Sequence, residues 1–449
     1  MSRESRSSSR IARAIYTEAL EAIRADRLVR AALTRSGDIL HLGAQTFDLR
    51  RYRNIYVVGA GKAATGMAQA VEECLGDLLT EGVVVTKRGH AGPTRRIRLL
   101  EAGHPIPDGG SLRAGEAIHA LASRAGAEDL LICLISGGAS ALMELPREGV
   151  SLDDLQAATG ALMRAGATIH ELNVVRACLS RLKAGGLARA AAPAQPVCLV
   201  LSDVIGNPLH VIGSGPCVEV EVHPAQARAV LKHHGVWERM PEGVRTLLER
   251  LEKEAAVCGA FSQQAGDSAA KERAPYHFLI GDIWTALSAA REAAIRRGLQ
   301  PAILTGMLQG EAREAGRVCA AIARDLPRTA PLTGINCYLL GGETTVTVRG
   351  TGKGGRSQEI ACVASAMLAG VEGVTLLAGG TDGTDGPTDA AGGWADADTL
   401  QRAQMCGWTP EAALQNSDSY AYLQAAQSLL VTGPTHSNVG DLVVMVYRP

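Results

Sequence analysis

Aromatic side chains make up only 3% of this 449-residue chain, so its core has to be aliphatic. Net charge is scarce too. The 45 basic and 46 acidic residues leave −1, which gives no electrostatic reason to expect nucleic acid or a membrane surface as partner. No run of about eighteen apolar residues occurs, so no transmembrane helix is expected. The ten cysteines lie scattered from Cys74 to Cys406, with no C-x-x-C pair and no regular spacing. Several, such as Cys133 and Cys198, sit inside apolar runs as small hydrophobes. That favours a reducing, cytoplasmic compartment over a disulfide framework. The start is rich in Ser and Arg and lacks the apolar stretch of a signal peptide. Residues 1–10 are read as a disordered tail, with a transit peptide as the alternative. Glycine, by contrast, is abundant at 51 residues, which implies many tight loops.

The length exceeds one ordinary core, so two domains are expected. After a helical stretch over 11–35, the apolar run 54–58 leads into Gly59-Ala60-Gly61-Lys62 and a helical pattern over 63–79. Further strand–turn–helix units follow around 82–86, 129–135 and 196–201. Repetition of that unit predicts a Rossmann-like, mostly parallel α/β sheet over 11–251, with ligands at the carboxyl ends of its strands. A polar segment over 252–275 reads as a boundary. The pattern over 276–449 predicts a second, smaller α/β domain. Strands are expected near 277–281, 301–305, 335–340, 374–378 and 442–447. The Thr/Val alternation of Thr344–Arg349 suggests an antiparallel element as well, hence a mixed sheet.

Five constellations carry chemistry. Gly59, Gly61 and Lys62 stand at a strand-to-helix turn, where backbone N–H groups and a cation can meet an anion; a tight turn with an exposed lysine is the plain alternative. The spacing excludes a Walker loop but fits the dinucleotide fingerprint G-x-G-x-x-A, with Lys87-Arg88 where an acid is usual. Ser136, Gly137, Gly138 and Ser140 form a second small-residue turn, read as a phosphate or carboxylate cradle because the G-x-S-x-G elbow is absent. Arg176 and Lys183 stand seven apart, on one face if helical, and form either a clamp for a carboxylate or a solvated basic face. Asp203 follows an apolar run and suits a metal ligand, a weak base or a turn. Finally, the glycine-rich stretch Gly341–Glu359 holds Glu343, Thr344, Lys353 and Arg356. It precedes a block of Asp382 and Asp385, whose spacing does not fit an EF-hand. Aspartates beside a basic glycine loop are better explained by Mg²⁺ with substrate phosphates.

With these residues assembled, the chain resembles the type II glycerate kinases, the family that carries the MOFRL signature. Matching stretches include Val58–Ala64, Gly103–Asp108, Ile135–Leu142, Leu172–Leu187, Leu201–Pro216, Gly341–Glu359, Thr381–Gly392 and Thr432–Leu442. The resemblance implies two α/β domains with the active site in their cleft. It also implies ATP and Mg²⁺, and transfer of the γ-phosphoryl group to D-glycerate at the 2-hydroxyl. Lys62 and Arg356 correspond to the catalytic residues, and Asn438 to a ligand-binding position. Asp203, Asp382 or Asp385 would hold the metal or orient the hydroxyl, and a homodimer is compatible with it. The chain departs from the family at Ala139, Ile283 and His436, where a glycine, an asparagine and a glycine are usual. The alternative is an NAD(P)-dependent hydroxypyruvate reductase, which leaves the Gly/Asp/Arg apparatus after residue 340 without a task.

Overall fold

The computed structural model describes residues 3–258 and 274–449. Its contacts divide the chain into two compact units, one of Ala25–Ser202 with Asn207–Ile280 and another of Met1–Arg24, Asp203–Gly206 and Gly281–Pro449.

The first unit opens with a small antiparallel sheet of β1 (Leu33–Ser36), β2 (Ile39–Leu42) and β3 (Gln45–Asp48). Its main sheet contains β4 (Asn54–Ala60), β5 (Glu81–Lys87), β6 (Ile97–Ala102), β7 (Asp129–Ser136), β8 (Gln195–Leu201) and β9 (Tyr276–Gly281). They lie in the order β6-β5-β4-β7-β8-β9, and the ladders from β6 to β8 are all parallel. This is the doubly wound order, with its reversal between β4 and β7, so the crevice outside the ends of those two strands is the expected ligand position. β7 is buried at every residue, as a strand covered on both faces must be. Its apolar run Leu130–Ile135 therefore shows no alternation. Local chemistry starts the flanking helices. Asp108 accepts the N–H groups of Gly110 and Ser111 at 2.8 and 3.1 Å and opens the helix Gly109–Arg124. Four further helices, Leu152–Arg164, Ile169–Leu179, Pro224–His233 and Glu242–Cys258, share a second aliphatic cluster around Leu155, Leu162, Val175 and Leu248. The expected boundary over 252–275 begins inside the last of these helices; 259–273 lie outside the described residues.

The second unit holds β10 (Pro301–Leu308), β11 (Cys337–Gly342), β12 (Val374–Gly380), β13 (Gly392–Asp396), β14 (Leu429–Leu430) and β15 (Asp441–Tyr447), ordered β10-β11-β15-β12-β13-β14. Only β10 and β11 pair in parallel, so the sheet is mixed. The Thr344–Arg349 strand does not form. Thr345 makes one isolated bridge to Glu311, and the Glu311 carboxylate binds the N–H and hydroxyl of Thr347 at 3.2 and 3.0 Å, in place of a partner strand.

The amino-terminal segment also differs from expectation. A helix spans Arg3–Ala22, so 3–10 are helical rather than a tail, and Ser8 Oγ lies 2.8 Å from Thr375 Oγ1. Residues 11–24 group with 281–449 instead of with the parallel sheet. The cause is an apolar stripe, Ala12, Ile15, Tyr16, Ala19 and Ile23, all fully buried, which needs a surface to cover and finds it on β12, β15 and the helix Ile283–Arg296. Among the described residues no helix is long and apolar enough to cross a membrane.

Candidate functional site

At the reversal in the parallel sheet, the turns after β4 and β7 are bonded to each other. Lys62 N–H donates to Gly137 O at 2.9 Å and Ala63 N–H to Ser136 Oγ at 3.1 Å, while Gly61 N–H reaches Val85 O at 3.1 Å. The expected anion cradle of the Gly59–Lys62 turn is therefore spent on the neighbouring strands. Its glycines serve close approach. A Cβ on Gly59 would lie 2.6 Å from Leu134 O, and one on Gly61, at φ +144°, would lie 2.0 Å from Ser136 Oγ. What the turn offers a ligand is the Lys62 side chain.

The turn after β7 is different. Gly138 (φ +87°) opens the short helix Ala139–Leu142, and the N–H groups of Gly138, Ala139 and Ser140 have no acceptor among the described residues. A Cβ on Gly138 would lie 3.0 Å from the His104 ring and 3.4 Å from Lys62 Cγ. Lys62, Gly138 and His104 thus surround one point beside open amides, a geometry suited to an anion. His104 lies in a stretch that matched the family yet was not singled out; a ring two residues past a strand end was its only signal. Ser140 Oγ is 2.8 Å from Ser214 Oγ, which donates to Asn173 Oδ1 at 2.9 Å. The methyl of Ala139 is fully buried and faces Gly213, so it does not crowd this turn.

Arg176 and Lys183 do not share a helix face. The helix ends at Leu179, because Ser180 takes an extended conformation (φ −110°, ψ 145°), and Lys183 lies beyond it. Its ammonium is 1% exposed and pairs with Glu144, also 1% exposed, so it is a structural cation rather than an open clamp. Burial pulls the Lys183 pKa below its ordinary value, against the attraction of Glu144. Arg176 is half-buried and keeps its place on the helix. The sequence reading missed Glu144, because nothing in Glu144-Leu145-Pro146 announces a partner for a lysine 39 residues away.

In the second unit the centre is Arg356, the first residue of the helix Arg356–Met367. Its Nε lies 2.6 Å from Asp441 Oδ2 and its Nη1 2.5 Å from Glu343 Oε1. Burial works against the charge, but Asp441 and Glu343 outweigh it and hold the guanidinium pKa above its ordinary value. Close by, Thr344 Oγ1 and Ser357 Oγ are buried without a hydrogen-bond partner. Thr344 is itself 2% exposed, so its hydroxyl forgoes a hydrogen bond inside the protein, a loss that a ligand's acceptor would make good. Asp441 was not foreseen; it opens β15 directly after Gly440, inside a stretch that matched the family. Lys353 is exposed on the glycine-rich loop, whose glycines pack against Asn416, Asp418 and Ser419. Ile283 packs over Gly341, where a Cβ would lie 2.3 Å from Ile283 Cγ1, so the usual amide is replaced by packing.

The three expected metal ligands differ in setting. Asp385 is 3% exposed, and its Oδ2 accepts Gln358 N–H at 2.8 Å, capping the Arg356 helix from another loop. Burial, then Asp441, push its carboxyl up to about 7. Asp382 is half-buried and accepts Thr384 N–H at 3.0 Å. Asp203 is half-buried and accepts from Asn438 Nδ2 at 2.5 Å. Among the described residues these carboxylates do not converge as a three-ligand cluster. Mg²⁺ needs only one or two carboxylates beside phosphate and water, and all-oxygen donors suit it, so Asp203 and Asp382 fit such an ion while Asp385 is better explained as a cap.

The likeness to known proteins runs along the whole chain. Residues 11–249 match a family model described as a domain of unknown function, DUF4147, and 336–441 match the MOFRL family. A D-glycerate 2-kinase from Thermotoga maritima is 39% identical over 432 residues, 96% of each chain. A glycerate 2-kinase from Pyrococcus horikoshii is 38% identical over 96% of this chain and 95% of its own. A protein from Agrobacterium vitis named as a conjectural hydroxypyruvate reductase is 42% identical over 86% of this chain and 85% of its own. The crystal structure of a glycerate kinase from Thermotoga maritima superposes with a TM-score of 0.81 at 36% identity, covering 98% of this chain and 99% of the other. With identity near two-fifths over nearly its full length, and both family models in register, the chain belongs to the MOFRL-containing glycerate kinase family.

Proposed function

We propose that this chain is an ATP-dependent kinase that phosphorylates D-glycerate at its 2-hydroxyl with Mg²⁺, in a reducing cytoplasmic compartment. The observation that carries the reading is the arrangement around Arg356, a guanidinium fixed by two carboxylates at a helix start, between a glycine-rich loop and an aspartate-rich turn. The relatives named as glycerate kinases, similar over nearly the full chain, supply the substrate class. Phosphoryl transfer asks for positioning and charge neutralisation, with little covalent chemistry.

In this reading Lys62 and Arg356 stabilise charge on the transferring phosphoryl oxygens. The open amides of Gly138, Ala139 and Ser140 bind an anionic group, and Arg176 meets the glycerate carboxylate. Lys183 acts through Glu144 as a positioning residue. Thr344 offers its hydroxyl to a phosphate. Asp203 and Asp382 would hold Mg²⁺, which would supply positive charge to neutralise phosphate oxygens.

A reductase is the second reading, favoured by the doubly wound strand order and by the Agrobacterium relative's name. Two observations weigh against it. The amides of the Gly59–Lys62 turn, which would bind a pyrophosphate, are bonded to β5 and the β7 turn. Arg88, the candidate for a 2′-phosphate, is paired with Asp108. Incubation with D-glycerate, ATP and Mg²⁺, followed by ³¹P NMR, separates the readings. A 2-phosphoglycerate resonance with matching ADP is expected. A 3-phosphoglycerate resonance would move the position of transfer. Absence of product together with NAD(P)H oxidation on hydroxypyruvate would replace the kinase by the reductase.

A further inference from the structure

We propose that Cys133, Cys198, Cys217 and His277 form a closed site for one thiophilic divalent ion, Zn²⁺. The site stands apart from the residues assigned to phosphoryl transfer and does not depend on that reading.

The three thiols are 0%, 1% and 3% exposed, and their sulfurs all lie within 4.8 Å of one another. The topology brings them together from distant parts of the chain. Cys133 and Cys198 are register partners on adjacent strands β7 and β8, and Cys217 arrives in the loop that follows β8. Thiolates around Zn²⁺ sit about 2.3 Å from the metal, hence about 3.8 Å from each other in a tetrahedron. The cluster needs only small side-chain adjustment to reach that spacing.

A candidate fourth donor lines the cavity next to two of them, outside the group of three whose sulfurs lie within 4.8 Å of one another. His277 lies on β9, the next strand of the sheet, and its Nε2 is buried with no hydrogen-bond partner. A cavity of about 10 Å³ is lined by Cys198, Cys217 and His277, room for one atom-sized occupant. Three thiols could simply be small hydrophobes in an aliphatic core. An unpaired imidazole nitrogen at the same cavity is not what such a core tolerates, because it forfeits a hydrogen bond for nothing. Three clustered sulfurs with an unpaired imidazole nitrogen at the adjoining cavity are the donor types of a structural zinc centre.

Binding would release the thiol protons to solvent and form three sulfur–metal bonds and one nitrogen–metal bond. The ion would brace the segment carrying Ser214, whose hydroxyl meets Ser140 and Asn173.

The test uses the full-length, tag-free protein purified without chelator. Plasma mass spectrometry should find about one Zn²⁺ per chain, and Co²⁺ added to demetallated protein should saturate at one equivalent with an intense thiolate-to-cobalt charge-transfer band. Cys217→Ser should remove most of that band, and His277→Gln should alter the visible cobalt bands while leaving thiolate charge transfer. Because the wild-type measurements need no variant, a variant that fails to fold does not spoil the test. The proposal is overturned if no charge-transfer band appears while all ten thiols react on unfolding. A mass lower by the two hydrogens of a disulfide would overturn it as well. Cobalt bound without sulfur charge transfer would place the ion at the surface group of Glu171, His233 and His234, and would also overturn it.

Discussion

Arg356 and Asp441 form an ion pair, with Nε 2.6 Å from Oδ2 and a hydrogen bond from Nη2 to Oδ1 at 3.0 Å. Two contacts to one carboxylate fix the plane of the guanidinium, which a single contact would leave free to swing. Glu343, more exposed than Asp441, takes the remaining arm and is the partner an incoming phosphate can displace. Arg356→Ala should lower kcat by about 10²–10³-fold, the range for removing one preorganised donor. Asp441→Asn should lower kcat by about tenfold with little change in KM for ATP, because the charge remains and only its orientation loosens. Arg356→Lys should not rescue, since an ammonium cannot reproduce the fork. Steady-state kinetics with glycerate and ATP decides it; wild-type turnover in Arg356→Ala would remove the residue from the mechanism.

Gly138 is a second place where backbone geometry and ligand chemistry coincide. Its φ of +87° is one that a residue with a Cβ enters at a cost of about 1–2 kcal/mol. That Cβ would also press on the His104 ring at 3.0 Å. Gly138→Ala should therefore lower stability by about that amount and raise KM for the anionic substrate several-fold. Denaturant titration and kinetics on one preparation separate the two effects. A variant with unchanged KM would show that the turn does not meet the ligand.

Much of this fold was legible because its units are local. Each strand–turn–helix of the parallel sheet buries its own apolar run, and β7 and β8 were visible as Leu130–Ile135 and Pro196–Leu201. What could not be read is what the chain joins over distance. The helix Arg3–Ala22 shows an apolar stripe but not which sheet it covers. Thr344–Arg349 alternates like a strand, yet no neighbour extends a ladder to it. Gly59 and Gly61 looked like an anion turn, and sequence does not say whether a bare backbone faces a ligand or the next strand. The seven-residue spacing of Arg176 and Lys183 assumed a helix that Ser180 ends. Lys62 and Arg356 stood out through the family resemblance, whereas their neighbours His104 and Asp441, and Glu144 as the partner of Lys183, come from contacts 39 to 85 residues away or from a loop without a distinctive pattern.

The buried Lys183–Glu144 pair gives a prediction about stability rather than binding. Both side chains are 1% exposed, so each charge depends on the other for solvation. Lys183→Met or Glu144→Gln alone should cost about 3–5 kcal/mol, the usual loss when one partner of a buried pair is removed. The double replacement Lys183→Met with Glu144→Leu should cost clearly less than the sum, because no stranded charge remains. A double-mutant cycle by chemical denaturation measures the coupling. Additive losses would mean that the two charges do not rely on each other.

Asp385 sets a pH dependence whose sign follows from its burial. The carboxyl rises from 3.8 to about 7 through burial and the neighbouring Asp441, so the folded chain holds its proton where the unfolded chain has lost it. Stability from this group is full below pH about 4 and is lost as pH rises through about 7. Asp441, raised to about 6 chiefly by burial, adds a slope of the same sign. Asp385→Asn keeps an oxygen to accept the Gln358 N–H and so preserves the helix cap, but it cannot ionise. Between pH 5 and pH 8 the wild type should lose more Tm than the variant, whose residual slope belongs to Asp441. Thermal melts of both proteins across that interval provide the comparison. Parallel curves would mean that Asp385 is already ionised in the folded chain at pH 5, stabilised by Arg356 more strongly than its burial opposes it.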